Sequence, residues 1–229
     1  MGESASARAA LMAQNRGFER VAALQGGWAA WKQAGYPVEG DVLAERAALP
    51  ATGAASALGD PDAPVIIHEF SDFQCGYCAR HALETLPKIR ESYIDAGLVY
   101  YVAHDFPLDF HANARLAAAA ARCAGDQGLF WPFYRTLFQR QADWAGLTQE
   151  AALDTFKTLA GALDLDGAEL QACVSGGRFE REIEEDLRAG QQAGVGGTPS
   201  FLLNGELLVG AYPYKAFAEK IESYLQGTE

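Results

Sequence analysis

Hydrophobic and polar positions give the chain two zones of different rhythm. The second zone opens on "VIIHEFS", residues 65–71, an apolar run rich in β-branched residues that predicts a strand buried on both faces. Beyond it Cys78, Ala82, Leu86, Ile89 and Tyr93 recur at steps of three and four, predicting a helix that enters at about Cys75. Pro87 falls inside that helix, where its missing N–H and its ring predict a kink. "LVYYVAH" supplies a second strand, and strand–helix–strand order makes the two strands parallel. From His111 to about Gly194 the pattern is almost entirely helical. Its segments "ANARLAAAAARCAG", "GLFWPFYRTLFQRQ", "TQEAALDTFKTLAGAL", "DGAELQACVSG" and "RFEREIEEDLRAGQQAG" are separated by Gly, Asp and Thr at cap positions. "PSFLL", Asn204-Gly205 and "ELLVG" then form a hairpin, and a last helix runs from about Tyr214 to Leu225. The fold class is α/β: βαβ, a helical insertion at about 111–194, then ββα.

The first zone, residues 1–40, has too few strands for a sheet. Residues 4–15 are Ala-rich and helical in pattern, "FERVAAL" gives a short strand, Gly26-Gly27 turns, and "WAAWKQAG" is helical up to Pro37. Residues 41–63, "DVLAERAALPATGAASALGDPDA", have no sustained period and read as a linker with at most one helical turn. The expected organisation is an appendage at 1–40, a linker at 41–63 and one domain at 64–229.

Length and charge narrow the function classes. A chain of 229 residues can bury a substantial core without a disulfide scaffold. With 18 basic against 30 acidic residues its net charge is −12, which repels phosphate backbones and argues against a nucleic-acid partner. No apolar run approaches the roughly 20 residues that span a bilayer. "MGESASARAALMAQNRGFER" lacks a basic start followed by an unbroken apolar segment, so no signal peptide is expected. The expected location is cytoplasmic if Met1 is the natural start, and periplasmic or extracytoplasmic if the chain begins upstream.

"EFSDFQCGYCARH", residues 69–81, carries the candidate chemistry. Cys-Gly-Tyr-Cys at a helix start grips a metal, staples the fold or exchanges electrons. At the helix N-terminus Cys75 meets unpaired N–H groups and the positive end of the dipole, which favour its thiolate. Cys78, one turn on, is placed to attack a mixed disulfide on Cys75 and release the partner. A closed zinc site wants four ligands, whereas Cys123 and Cys173 stand alone in helices and C-x-x-C-x-x-H, ending at His81, lacks a fourth. Haem attachment needs His where Ala79 stands, and a bridge closing so short a loop constrains the unfolded chain little. The redox reading is favoured, with no metal or other cofactor.

Three further features bear on it. Thr198-Pro199 stands at a strand entrance, either as a cis turn presenting backbone groups to a substrate or as an ordinary strand-entry proline. Glu69 is either a buried acid that exchanges a proton with Cys78 or a strand acid whose head reaches water. His68, His81, His104 and His111 are scattered, with His81 near enough to the cysteines to influence their charge. Trp131, Phe133, Tyr134, Leu137 and Phe138 read as core of the insertion, and "EREIEEDLR" as a solvated helix face.

"EFSDFQCGYC", "DFPLDFHANARLAAAAARCAGDQGLFWPFYRTLF", "GVGGTPSFLLNGELLVGAYP" and the element order together resemble the DsbA-like thioredoxin family of thiol–disulfide oxidoreductases, from about residue 60 to the end. The resemblance implies a thioredoxin fold in which Cys75 is the nucleophile, Cys78 the resolving cysteine, Pro199 the cis-proline with Thr198 before it, and Glu69 the buried acid. Gly76 and Tyr77 would join Thr198 and Pro199 at the substrate. Members often carry Pro-Tyr or Pro-His between the cysteines. Gly76-Tyr77 has no histidine there, so a less extreme oxidant than a Pro-His member is expected. The resemblance permits a second disulfide, Cys123–Cys173; the alternative is two buried free thiols.

It also implies a function. A Cys75–Cys78 disulfide would be exchanged with protein or peptide thiols, in the oxidising direction, and a separate redox partner would reset the pair. The alternatives are a protein-disulfide reductase or isomerase, or a peptide-binding, chaperone-like module whose cysteines stay oxidised. Separately, "SARAALMAQNRGFERVAALQGGWAAWKQAGYPVEG" resembles the C-terminal end of a rhodanese domain. A rhodanese acts through a cysteine just before the first helix of that segment. No cysteine precedes Cys75, so sulfurtransferase activity is not expected from it unless the missing part lies upstream.

Overall fold

The computed structural model describes Leu49 and residues 56–226. The rhodanese-like segment 1–40 and most of the 41–63 linker lie outside the described residues. Contacts divide the chain into Met1–Asp41 and Val42–Glu229, and every described residue belongs to the second unit.

The strands are β1 (Ala57–Leu58), β2 (Val65–Ser71), β3 (Val99–Asp105), β4 (Ser200–Leu203) and β5 (Glu206–Val209), in the sheet order β1-β3-β2-β4-β5. β2 and β3 run parallel, as their helical crossover requires, and the other pairs are antiparallel. The apolar run of β2 is buried on both faces. Val65 and Ile67 enter the main core, while Phe70 joins a smaller cluster with Phe106, Ala193, Val195 and Leu202 on the other side, against which Leu49 packs. At the β4–β5 turn Asn204 and Gly205 have φ of 44° and 85°. Asn-Gly is the pair that accepts positive φ at both central positions of a tight hairpin. The Asn204 side chain also takes the Ile66 N–H at 2.7 Å, tying the hairpin to β2.

Helix α1 spans residues 76–94 in four consecutive pieces: α-helical Gly76–Arg80, a π segment His81–Thr85, α-helical Leu86–Ile89 and a second π segment Arg90–Ile94. Where the pattern predicts a kink at Pro87, the helix shows a widened turn. The Leu86 N–H reaches back five residues to the His81 carbonyl. The extra residue in that turn relieves the proline ring's clash with the preceding turn of backbone.

The insertion comprises α2 (Ala114–Asp126), α3 (Phe130–Gln139), α4 (Gln141–Trp144), α5 (Gln149–Gly161), α6 (Gly167–Ser175) and α7 (Glu180–Gln192), and α8 (Tyr214–Gln226) follows the hairpin. The Thr148 side chain accepts the Ala151 N–H, and Asp166 accepts those of Ala168 and Glu169, so these two cap residues satisfy the first turns of α5 and α6. Cys123 of α2 and Cys173 of α6 are bonded, with sulfurs 1.97 Å apart.

Two readings need correction. Ala57–Leu58 lies in the segment read as linker, yet it pairs with β3 at the sheet edge. A two-residue strand carries no period, and only its partner defines it. The acidic helix α7 is not wholly a solvated face, because Asp186 is fully buried and bonds Arg122 of α2, His104 and the Asp105 N–H. A charge that deep requires a paired cation or donors, and Arg122 also bonds Asp105.

Candidate active site

Where β2 ends, Asp72 fixes the loop that leads into α1. Its carbonyl accepts the Cys75 N–H at 3.0 Å and its Oδ1 accepts the Gln74 N–H at 2.7 Å. Its Oδ2 accepts the Leu108 N–H and pairs with His111 Nδ1, each at 2.8 Å, clamping the loop to the segment after β3. Cys75 is therefore held at the N-cap of α1, with the extended φ and ψ of −79° and 122° that a cap adopts.

Both active-pair cysteines are free thiols with different surroundings. Cys75 is 7% exposed and Cys78 fully buried. The Cys75 thiol is lowered from the ordinary 9.0 to about 5. The leading cause is the Cys78 thiol donating to it, and the N–H groups of Cys78 and Tyr77 add to this, as does Thr198; burial opposes them. Cys78 is pushed up, first by burial and then by the Cys75 sulfur beside it. One sulfur is prepared to ionise and the other to hold its proton.

The Thr198-Pro199 peptide is cis, and the Thr198 carbonyl lies 3.5 Å from Cys75 Sγ, at the mouth of β4. The Thr198 hydroxyl is buried and, beyond its effect on the Cys75 thiol, has no hydrogen-bond partner within bonding distance among the described residues. Gly76 is exposed, and a Cβ added there would meet nothing within 4 Å. Tyr77 is 65% exposed, with the Arg80 guanidinium 5.3 Å from its ring centre.

Glu69 is fully buried on the main-core face of β2, opposite Ala103 and Phe201. The Tyr101 hydroxyl donates to its Oε2 at 2.8 Å, and that of Tyr134 reaches both carboxyl oxygens at 3.0 and 2.9 Å. Burial raises the Glu69 carboxyl above its usual range, against the lowering effects of Tyr101, Tyr134, Ser71 and His104. Both phenols also feel the charge of Cys78. Glu69 and Cys78 thus act on the same two phenols, the one through hydrogen bonds and the other through its charge.

The structure gathers Cys75, Cys78, Thr198 and Pro199 at one point, sets Gly76 and Tyr77 on its rim, and places Glu69 beneath. The Cys123–Cys173 bridge belongs to the insertion. Tyr101, Asp72 and His111 were not assigned to the site from the pattern, and Tyr134 was read only as core. The pattern held a signal for Tyr101, since period-two alternation puts residues 101 and 103 of β3 on the face of Glu69. Among the described residues no three His, Cys, Asp or Glu side chains gather as a metal site.

The family described as Thioredoxin matches residues 51–223. The chain belongs to the thioredoxin family. Within this family it is DsbA-like. It is 31% identical over 183 residues to disulfide bond formation protein D of Bacillus subtilis, covering 74% of this chain and 77% of that protein. The crystal structure of oxidised BdbD from Bacillus subtilis superposes with a TM-score of 0.67 at 27% identity, covering 75% of this chain and 92% of that one. The thioredoxin-family domain is also 34% identical over 171 residues to the Na(+)/H(+) antiporter NhaA 1 of Salinispora arenicola. That match covers 74% of this chain and only 24% of the antiporter, so the chain spans about a quarter of that relative's length.

Proposed function

We propose that the protein oxidises thiols of protein substrates by exchanging a Cys75–Cys78 disulfide, as a DsbA-like thiol–disulfide oxidoreductase. The observation that carries this is the asymmetry of the pair: a near-surface Cys75 lowered to about 5 beside a buried Cys78 that is pushed up.

A substrate thiolate attacks Cys75 Sγ, the Cys75–Cys78 bond breaks, and its electron pair leaves on Cys78 Sγ, which takes up a proton. A second substrate thiolate then attacks the substrate sulfur of the mixed disulfide, and Cys75 departs as thiolate. Two substrate thiols are oxidised and one enzyme disulfide is reduced. Burial keeps the Glu69 carboxyl protonated above the usual range, which suits it to supply the Cys78 proton. Because thiolate at Cys75 stabilises the reduced enzyme, it favours the oxidising direction. A lowering from 9.0 to about 5 corresponds to about 3 kcal/mol at pH 7, or about 60 mV.

The rim indicates the substrate class. Tyr77, Phe110, Leu147, Val209 and Tyr212 are the large apolar side chains left exposed among the described residues. Contacts connect several of their neighbourhoods to the site: Arg80 and Thr85 bond the Ala211 and Tyr212 carbonyls, the Gly210 N–H meets the Pro199 carbonyl, and Phe110 packs on His111, which pairs with Asp72 of the cysteine loop. Exposed apolar side chains beside the elements that carry Cys75 and Pro199 suit unfolded segments better than polar folded surfaces. A separate redox partner would re-oxidise the pair.

The test is oxidation of a peptide dithiol, together with equilibration against glutathione buffers. Wild-type protein is expected to form the peptide disulfide stoichiometrically and Cys75→Ser to form none. Equal inactivity of the two would end the proposal. A potential close to that of thioredoxin would instead assign the reducing direction.

A further inference from the structure

A buried histidine follows the cysteines and takes no part in the exchange steps. His81 lies in the first π segment of α1, three residues after Cys78, and is fully buried against Phe201 and Phe217. Its Nε2 is 3.0 Å from the Tyr101 hydroxyl, whose own contact with Glu69 Oε2 is 2.8 Å. Its Nδ1 is buried with no partner among the described residues.

A phenol has one proton to give. If Tyr101 gives it to Glu69, His81 must donate from Nε2, and the bare lone pair of Nδ1 is what remains unpartnered. If the chain ran the other way, Tyr101 would donate to Nε2 and the proton of a neutral imidazole would sit on Nδ1. That leaves a buried N–H orphaned, which proteins tolerate less well than an orphaned acceptor. A doubly protonated ring carries the same orphan and a buried charge as well.

We propose that His81 is a positioning residue for the thiol–disulfide reaction: as a neutral Nε2–H donor it fixes Tyr101 as a one-way donor to Glu69. The lowering of His81 to about 3 by burial agrees with a neutral ring. The titratable groups facing Glu69 are Tyr101 and His104 from β3, Tyr134 from α3 and, through the phenols, Cys78 and His81 from α1. β4 presents Phe201 there. Burial raises Glu69, and the chain from His81 through Tyr101 limits how far. Without it Glu69 would keep its proton to higher pH and would accept the Cys78 proton less readily when Cys78 attacks a mixed disulfide on Cys75, the reverse of the first exchange step. That last step rests on the exchange reading above; the hydrogen-bond direction does not.

Two measurements test it. In wild-type protein, ¹⁵N spectra of the imidazole are expected to show His81 protonated at Nε2 and bare at Nδ1 across neutral pH; a proton on Nδ1 would overturn the proposal. In the reduced protein, carboxyl ¹³C spectra give the Glu69 midpoint. His81→Leu is expected to move it up by about half to one pH unit, the scale of the one neutral hydrogen bond, His81 to Tyr101, that the change removes. His81→Gln, which keeps a donor near the Nε2 position, is expected to return it to within about 0.3 unit. The pH midpoint for release of a glutathione mixed disulfide should move in step. An unmoved Glu69 midpoint in His81→Leu sinks the proposal, and so does a His81→Gln variant that folds without restoring it. Should His81→Leu fail to fold, the wild-type tautomer and His81→Gln decide. An inactive wild-type protein would end the exchange reading while leaving both spectra to be read.

Discussion

Cys75 ties stability to pH in the reduced protein and leaves the oxidised protein without that link. Its folded pKa is depressed to about 5 from 9.0, so its contribution is fully present above the unfolded value, declines below it, and is gone once pH falls through about 5. Across that window the reduced form should gain on the oxidised form by at most about 1.4 kcal/mol per pH unit. Thermal melts of both forms between pH 4 and 7 check it, and parallel curves would contradict the lowered thiol. The cysteine pair was legible in the sequence because its spacing and helix position carry chemistry of their own. Tyr101 and Tyr134 were hidden for a physical reason. Each is an aromatic in an apolar run, and only the tertiary register that brings both hydroxyls to Glu69 distinguishes them from core.

At the level of elements, α7 meets the sheet at Gly190, where an added Cβ would stand 2.8 Å from the rings of Phe106 and Phe70. Neither ring is the free end of a flexible chain, so Gly190→Ala must displace the helix or the strand ends. Overpacking costs about 1–3 kcal/mol, against about 1 kcal/mol regained in helix propensity. A net loss of up to about 2 kcal/mol in urea unfolding is expected; a stabilised variant would mean that α7 has room to move. β2, β3 and the β4–β5 hairpin were readable because long apolar runs and an Asn-Gly turn specify them locally. β1 was not, since two residues take their identity from β3. The π segments of α1 were equally invisible, because a shift of hydrogen-bond partner by one residue leaves the apolar spacing almost unchanged.

Across the whole chain, the longest-range covalent constraint is Cys123–Cys173, with a sequence separation of 50. Closing a loop of that size is worth about 4 kcal/mol in the chain-entropy model. A Cys123→Ala/Cys173→Ala double variant is expected to lose about 2–4 kcal/mol of unfolding free energy while its active pair still exchanges with glutathione. Unchanged stability would show that packing of α2 on α6 suffices without the bond. The full burial of Cys78 has a further consequence for every encounter at Cys75. Where no second substrate thiol arrives, release of the trapped partner falls to that inner sulfur, which burial shields from reagents in solution. The lifetime of such a stalled complex is then kept by a timer inside the protein, one helical turn from Cys75. Partners without a second thiol would be held for similar times whatever their size, and replacing Cys78 would stop the clock with the partner still attached.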